Sequence, residues 1–165
     1  MIDATIVRAH QSAAGARGGQ EKQALGRSCG GFSTKIRMTV TEDGMPQNFT
    51  LSPGQAADIT YARATIGKAR PTALLGDRGY DSDSLRRYLK SLKITSVIPG
   101  RRCRKKPITY DKALYKKRNV IERFFNSLKR FRRVATRVDK TKLMFSSFIN
   151  LVCTMIHLRP RPSGV

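Results

Sequence analysis

The sequence has few acidic residues and few cysteines. Asp and Glu together number 11 of 165 residues, against 33 Lys and Arg, which gives a formal net charge of +22. The three cysteines, Cys29, Cys103 and Cys153, are an odd and scattered set without the paired spacing of a zinc site or a disulfide framework. No signal peptide opens the chain. We therefore expect a protein of the reducing cytoplasm.

The sequence also has no long uninterrupted apolar run. Its longest apolar stretch, residues 143–158, is shorter than the roughly 20 residues that a bilayer requires. Four polar residues interrupt it: Ser146, Ser147, Asn150 and Thr154. The basic residues are spread along the chain instead of collecting beside an amphipathic anchor. We therefore predict a core helix here and no membrane partner.

The excess of basic residues indicates a polyanionic partner. Nucleic acid is the natural candidate, because neutralisation of phosphates by Lys and Arg supplies most non-specific affinity. Hydrophobic residues make up 39% of the chain, which argues against wholesale disorder. A chain of this length buries about two-thirds of its unfolded surface. We expect one domain over residues 1–160 and a loose tail over 161–165.

Hydrophobic periodicity and turn residues predict an α/β domain. Alternating or short apolar runs predict strands, a longer period predicts helices, and a Gly- and Ser-rich stretch over 10–31 predicts a mobile loop. We expect a mixed five-stranded sheet with helices packed against its faces. The expected strands lie at 1–10, 36–40, 48–51, 73–75 and 94–98, and the expected helices at 55–69, 81–93, 115–129 and 143–158.

The helix predicted over 115–129 contains one acidic residue, Glu122, among many Lys and Arg residues. At about 100° per residue, Tyr115, Arg118, Glu122 and Lys129 share one face, and a separate apolar face docks on the core. From the helix alone, an ordinary amphipathic helix with Glu122 in surface pairs with its basic neighbours is the more common explanation of the pattern. The apolar face consists of Val120, Ile121, Phe124, Phe125, Leu128 and Phe131.

Three acids occupy positions that suggest a common site. Asp3 lies in the first strand, Asp77 follows a short buried strand, and Glu122 lies at the edge of the helix. Clustered carboxylates repel one another unless a cation joins them, and carboxylate oxygens suit Mg²⁺. Spacing alone is a weak signal for this triad. Asp81 and Asp83 lie near Asp77 and are alternative candidates for the site, but we expect them to have a helix-capping role.

The ordered motifs resemble those of bacterial insertion-sequence transposases with a DDE triad, of the insertion sequence 4 and 5 superfamily. The pattern Y-x-x-R-x-x-x-E-x-x-x-x-x-x-K is matched in every fixed position by Tyr115, Arg118, Glu122 and Lys129. A second pattern, D-x-G-F/Y, is matched at Asp77. The segments "IDATIVRAHQ" and "GGFSTKI" are also similar to that family's.

The resemblance implies a ribonuclease H-like fold, in which Asp3, Asp77 and Glu122 hold two Mg²⁺ or Mn²⁺ ions. It further implies hydrolysis of a strand at the transposon end, followed by attack of a 3′-hydroxyl on target DNA. Arg118, Lys129 and Tyr115 would contact DNA. The implied partners are double-stranded DNA, as transposon ends and target, and further copies of the chain in the active complex. The implied location is the bacterial cytoplasm, at the nucleoid when bound to DNA.

The resemblance departs at the start of the chain. Family members carry a helical DNA-binding segment upstream, and only two residues precede Asp3 here, so we expect a truncated first strand. Some relatives are fusions of two reading frames made by frameshifting, and the chain resembles the downstream product. The alternative is an inactive, truncated, basic DNA-binding fragment of a transposase. A ribonuclease or junction resolvase would not account for the register of Tyr, Arg, Glu and Lys.

Overall fold

The computed structural model describes residues 1–28 and 30–158 and shows a mixed α/β chain. Cys29 and the tail expected over 161–165 lie outside the described residues. The strands are β1 (Ile2–Ala9), β2 (Gly26–Ser28), β3 (Gly31–Val40), β4 (Pro46–Pro53), β5 (Ala73–Leu75), β6 (Thr95–Val97) and β7 (Thr136–Arg137). The helices are α1 (Gly19–Lys22), α2 (Asp58–Ile66), α3 (Asp83–Ser91), α4 (Lys112–Lys116), α5 (Asn119–Lys129), α6 (Arg132–Ala135) and α7 (Lys142–Leu158).

The long strand β3 organises the main sheet. β1 pairs antiparallel with one edge of β3, while β2 and then β4 pair antiparallel with the other. β7 adds a short parallel pairing to the far edge of β1. The strands expected at 36–40 and 48–51 are confirmed as parts of β3 and β4, which form a hairpin whose turn contains Gly44 with φ at 76°, a conformation that favours glycine.

β1 lies within the strand expected over 1–10. It contains eight residues, and seven of them, from Ile2 to Arg8, are in register with β3. The mean strand has about 5 to 6 residues. Although we expected a truncated first strand, pairing with β3 begins at Ile2, one residue before Asp3, and so includes Asp3.

The central strands divide into two sheets. β5 and β6 pair parallel to each other and form a separate two-stranded sheet. Within the described residues, no backbone ladder joins β1 to β5, so the prediction of one five-stranded sheet containing both is wrong in this detail. β1 and β5 nevertheless lie close together, because a Cβ built on Gly76, the residue after β5, would lie 3.1 Å from Cγ2 of Ile2 in β1.

Alternate residues of β1 face two different cores. Ile2 packs in a core with α2, α3 and β5, whereas Val7 packs with α5 and α7. Because successive side chains of a strand point to opposite faces, Asp3 shares the face of Val7. The strand therefore presents Asp3 toward α5.

The helix predicted over 115–129 is divided in two. Asp111 caps α4 by accepting a hydrogen bond from the Leu114 amide at 2.9 Å. α5 then begins at Asn119, after Lys117 and Arg118 keep helical backbone angles between the two helices. Its apolar face is buried as predicted, with Ile121, Phe124, Phe125 and Leu128 all in the core.

The helix predicted over 143–158 is α7, and only one of its faces belongs to the core. Phe145, Ile149 and Val152 are buried, but five apolar side chains are exposed. Within the described residues, no helix has the length and apolar content needed to cross a bilayer. The exposed side chains are Leu143, Met144, Leu151, Met155 and Leu158.

The segment predicted as a mobile loop over 10–31 contains regular structure. It includes a 3₁₀ turn at Gln11–Ala13, helix α1 and strand β2. Ala13, Ala24 and Leu25 are buried. The prediction is wrong because the segment forms these elements and Ala24 packs in the same core as Val7 and Ile36, although its apolar residues show no period in the sequence.

Candidate active site

Asp3 lies near the start of β1 with its carboxylate partly buried. The Ala4 amide donates to Oδ1 at 2.8 Å, and Nη1 of Arg118 donates to Oδ2 at 2.7 Å. Its side chain is 17% exposed. Burial raises the pKa of Asp3, opposed by the Ala4 amide and Arg118 and reinforced by the negative charges of Asp77 and Glu122. Asp3 is therefore within electrostatic range of both Asp77 and Glu122.

Asp77 follows β5 and begins a 3₁₀ turn over Arg78–Tyr80. Its Oδ1 accepts a hydrogen bond from the Gly79 amide at 2.9 Å. A Cβ on Gly79 would lie 2.9 Å from the same oxygen. A side chain at position 79 would therefore displace the Asp77 carboxylate, although the φ of Gly79 is not positive. The charge of Asp77 also raises the pKa of Asp3.

Glu122 lies on the solvent side of α5. Its side chain is 53% exposed, while the next residues on the opposite face, Phe124 and Phe125, are buried. Nη2 of Arg118 donates to Oε1 of Glu122. Glu122 thus has the orientation that the helical projection predicts, and it points away from the aromatic core.

Arg118 connects the strand acid to the helix acid. One guanidinium donates to both Asp3 and Glu122, with its side chain 20% exposed. Its carbon Cζ lies 5.8 Å from the centre of the Tyr115 ring, within the range of a cation–π contact. Burial alone would lower the pKa of Arg118, but Asp3, Tyr115 and Glu122 raise it above the ordinary value. The side chain remains a cation.

Lys129 lies further along the same face. It ends α5, seven residues beyond Glu122, and is exposed. Seven residues of helix correspond to about 10 Å. The structure therefore brings Asp3, Arg118, Glu122 and Tyr115 together and places Lys129 at the margin of this group.

The acids do not yet form a metal-ligand cluster. Within residues 1–28 and 30–158, no group of three or more His, Cys, Asp or Glu side chains is close enough to hold a metal ion. The Arg118 guanidinium lies between Asp3 and Glu122. The donor set still fits Mg²⁺ or Mn²⁺, because it consists of carboxylate oxygens. Three carboxylates and one guanidinium leave a formal charge of −2, which a divalent cation would balance.

Sequence reasoning missed the role of Asp81. We expected Asp81 and Asp83 to cap a helix, but the N-cap of α3 is Ser82, and Asp81 is 3% exposed. Its carboxylate accepts from Arg86 at 2.9 Å, from Arg104 at 2.6 and 3.0 Å, and from the Arg101 amide at 2.8 Å. No local pattern reveals this contact, because Arg104 lies 23 residues away along the chain.

The fold and the site together define a class of protein. A strongly basic α/β domain with three interacting acids beside an arginine is typical of an enzyme that acts on the backbone of a nucleic acid. The chain belongs to the family described as the Transposase DDE domain, which matches residues 1–155. The resemblance inferred from the sequence is thereby confirmed, and the chain is an insertion-sequence DDE transposase.

Two relatives illustrate the match. The chain is 38% identical over 130 residues to a transposase assigned to insertion sequence element IS6501 of Brucella ovis, covering 78% of this chain and 100% of the relative. It is 36% identical over 87 residues to a transposase assigned to IS402 of Burkholderia cepacia, covering 53% of this chain and 39% of that relative. No solved structure matches the chain. DDE transposase domains act on DNA and generally use divalent metal ions.

Proposed function

We propose that the chain cleaves DNA strands at the ends of its insertion sequence and transfers them to target DNA, using Asp3, Asp77 and Glu122. The carrying observation is the double contact of Arg118 with Asp3 and Glu122. Asp3 and Arg118 are 115 residues apart, so only the fold brings them together. The charge of Asp77 also acts on Asp3, which adds the third acid to the group.

The three carboxylates are the side chains that would hold two Mg²⁺ or Mn²⁺ ions. Bound divalent ions supply charge stabilisation to the attacking and leaving oxygens of a displacement at phosphorus. Before binding, Arg118 neutralises part of the acidic charge and keeps Asp3 and Glu122 on the same side of α5. With the acidic charge neutralised by bound cations, the Arg118 guanidinium would be free to contact a phosphate.

The basic residues of the signature position the DNA. Arg118 and Lys129 offer cations on the face of α5 that carries Glu122, one next to the acids and one about 10 Å further along. Contacts of this kind fix the register of the backbone relative to the reacting phosphorus. The Tyr115 ring orients the Arg118 guanidinium, and its edge-to-face contact with Tyr110 restrains the ring itself.

We further propose that residues 1–160 form a ribonuclease H-like catalytic domain. In support, three antiparallel strands, β1, β3 and β4, lie beside the parallel pair β5 and β6. The three acids lie at the start of β1, after β5 and on a later helix.

The chain spans 39% of the relative from IS402. We propose that the active protein is a frameshift fusion with an upstream DNA-binding segment, that it assembles as a homo-oligomer on paired ends, and that it binds the bacterial nucleoid.

Metal-dependent nicking tests this function. The full transposase, expressed from its own insertion sequence, is incubated with DNA carrying the ends of that element and with Mg²⁺. We expect Glu122→Gln to abolish nicking and to leave DNA binding in place. Glu21→Gln changes an exposed acid on α1 and serves as the matched control with full activity. Nicking by Glu122→Gln at the wild-type rate would remove the catalytic assignment.

One observation favours a second function. Within residues 1–28 and 30–158, no group of three or more His, Cys, Asp or Glu side chains is spaced to hold a metal ion. An inactive, basic DNA-binding fragment that competes for transposon ends has this property. The two functions differ in one result: the fragment binds end DNA with no nicking in Mg²⁺ or Mn²⁺, whether alone or fused to an upstream segment.

A further inference from the structure

A second group of cations lies close to the candidate site. Residues 101–106, here called the basic loop, read "RRCRKK" and contain five bases in six residues. Arg101, Arg102, Lys105 and Lys106 are exposed, and Arg104 is half-buried. Like charges at this density repel one another, so their concentration in one loop favours a polyanionic ligand.

The basic loop is anchored through Arg104. The guanidinium of Arg104 contacts both carboxylate oxygens of buried Asp81 and also reaches Asp83 at 2.5 Å. Asp81 accepts the amide of Arg101 as well, at 2.8 Å, so it holds the loop at two points. A flexible charged loop would lose conformational entropy on binding. Because the contacts with Asp81 already order the basic loop, less conformational entropy is lost when it binds a ligand.

The same network ties the basic loop to the sheet that carries Asp77. Arg86 donates to Asp81 and to the carbonyl of Ile98, the residue after β6, at 2.7 Å. Arg101 donates to the carbonyls of Arg78 and Gly79 at 3.4 and 3.3 Å. These two carbonyls belong to the turn that begins at Asp77. The loop therefore lies against the backbone of the candidate site.

We propose that the basic loop is a phosphate-binding element for the DNA backbone that passes the candidate site, and that Asp81 positions it. This inference rests on the proposed function for the identity of the ligand. Arg104 is already paired with Asp81 and Asp83 inside the protein. The exposed bases of the loop are the ones that would contact phosphates. Binding of this kind is independent of base sequence and strongly dependent on salt.

The salt dependence of DNA binding tests the proposal. Affinity of the full chain for a fluorescent duplex of arbitrary sequence is measured by anisotropy over a range of salt, with EDTA present. The slope of log K against log salt is about −0.9 per neutralised phosphate. We expect Lys105→Gln/Lys106→Gln to reduce the slope by about 2 and to weaken binding at least about tenfold at moderate salt.

A matched double variant controls for loss of charge. Lys22→Gln/Lys140→Gln removes two exposed lysines from other parts of the chain, and we expect its slope to stay within experimental error of the wild type. Equal losses in the two double variants, or an unchanged slope in the Lys105→Gln/Lys106→Gln variant, would overturn the proposal.

Asp81→Asn tests the positioning role separately. Alone, this substitution should weaken DNA binding at a temperature where the variant remains folded. In the Lys105→Gln/Lys106→Gln background it should weaken binding less than it does in the wild type, because two of the four exposed bases that Asp81 positions are already absent. Fully additive losses would contradict positioning. These binding measurements need no metal. Their failure can therefore be distinguished from failure of the proposed function, which is tested by the nicking assay on Glu122→Gln.

Discussion

Substitution of Asp81 by Asn is predicted to destabilise the domain and to change how its stability depends on pH. Burial alone would raise the pKa of Asp81, but hydrogen bonds from Arg104, the Arg101 amide and Arg86 outweigh burial and lower its pKa to about 2. The ordinary value is 3.8. A carboxyl with a depressed pKa in the folded state stabilises the fold above the unfolded pKa, and the contribution is lost as pH falls from about 4 to about 2.

The magnitude follows from the shift and from the contacts. One pKa unit corresponds to about 1.4 kcal/mol, so the shift sets an upper value of about 2 to 3 kcal/mol. Arg86 and Arg104 are 17% and 23% exposed, and solvent screening reduces this to about 1 to 2 kcal/mol. Asn also leaves donors of Arg104 and Arg101 poorly paired. We expect a total loss of about 2 to 4 kcal/mol at pH 7.

Urea unfolding at pH 7 and near pH 3 measures this prediction. The difference between wild type and Asp81→Asn should be largest at pH 7 and should shrink near pH 3, because Asp81 of the unfolded wild-type chain takes up a proton there while the folded carboxylate stays charged. Asp83→Asn is the matched control, because Asp83 contacts the same Arg104 but its side chain is 74% exposed. It should change stability by no more than about 0.5 kcal/mol. A loss below about 0.5 kcal/mol for Asp81→Asn, or a loss equal at both pH values, would refute the reasoning.

Three further predictions concern the surroundings of the acids. The hydroxyl of buried Tyr80 has no hydrogen-bond partner among the described residues, so Tyr80→Phe should leave the unfolding free energy unchanged or raise it by up to about 1 kcal/mol, and a clear loss in urea unfolding would contradict this. Gly79→Ala places a Cβ 2.9 Å from Oδ1 of Asp77; nicking should fall on the order of 10- to 100-fold with little change in melting temperature, and unchanged nicking would argue against Asp77. Arg118→Ala removes the cation between Asp3 and Glu122. Mn²⁺ should therefore raise the melting temperature of this variant more than that of the wild type. Equal shifts in melting temperature would show that Arg118 does not compete with the metal.

The sequence predicted the parts of the site that follow from local patterns. The face of α5 that carries Glu122 follows from helical periodicity, and the position of Asp77 after β5 follows from a short apolar run that ends in a turn. Alternation along β1 placed Asp3 within a strand. These predictions succeeded because each depends on residues within one element.

The remaining features depend on contacts between distant segments. The separation of β5 and β6 from the main sheet depends on pairing between segments that are distant in the chain, and no period in the sequence reports it. Asp81 resembles a helix cap in sequence, but its partner Arg104 comes from a distant loop. Arg118 was predicted to face DNA, and its contact with Asp3, 115 residues away, became visible only in the fold.

Direct titration of Mn²⁺ into the metal-free chain tests the central claim, that Asp3, Asp77 and Glu122 together hold divalent metal. Calorimetry on Asp3→Asn, Asp77→Asn and Glu122→Gln, with Glu21→Gln as the control, should show Mn²⁺ binding weakened at least about tenfold in each of the three variants and unchanged in the control. Wild-type affinity for Mn²⁺ in any of the three would contradict the assignment of that acid, and wild-type affinity in all three would contradict the metal site itself.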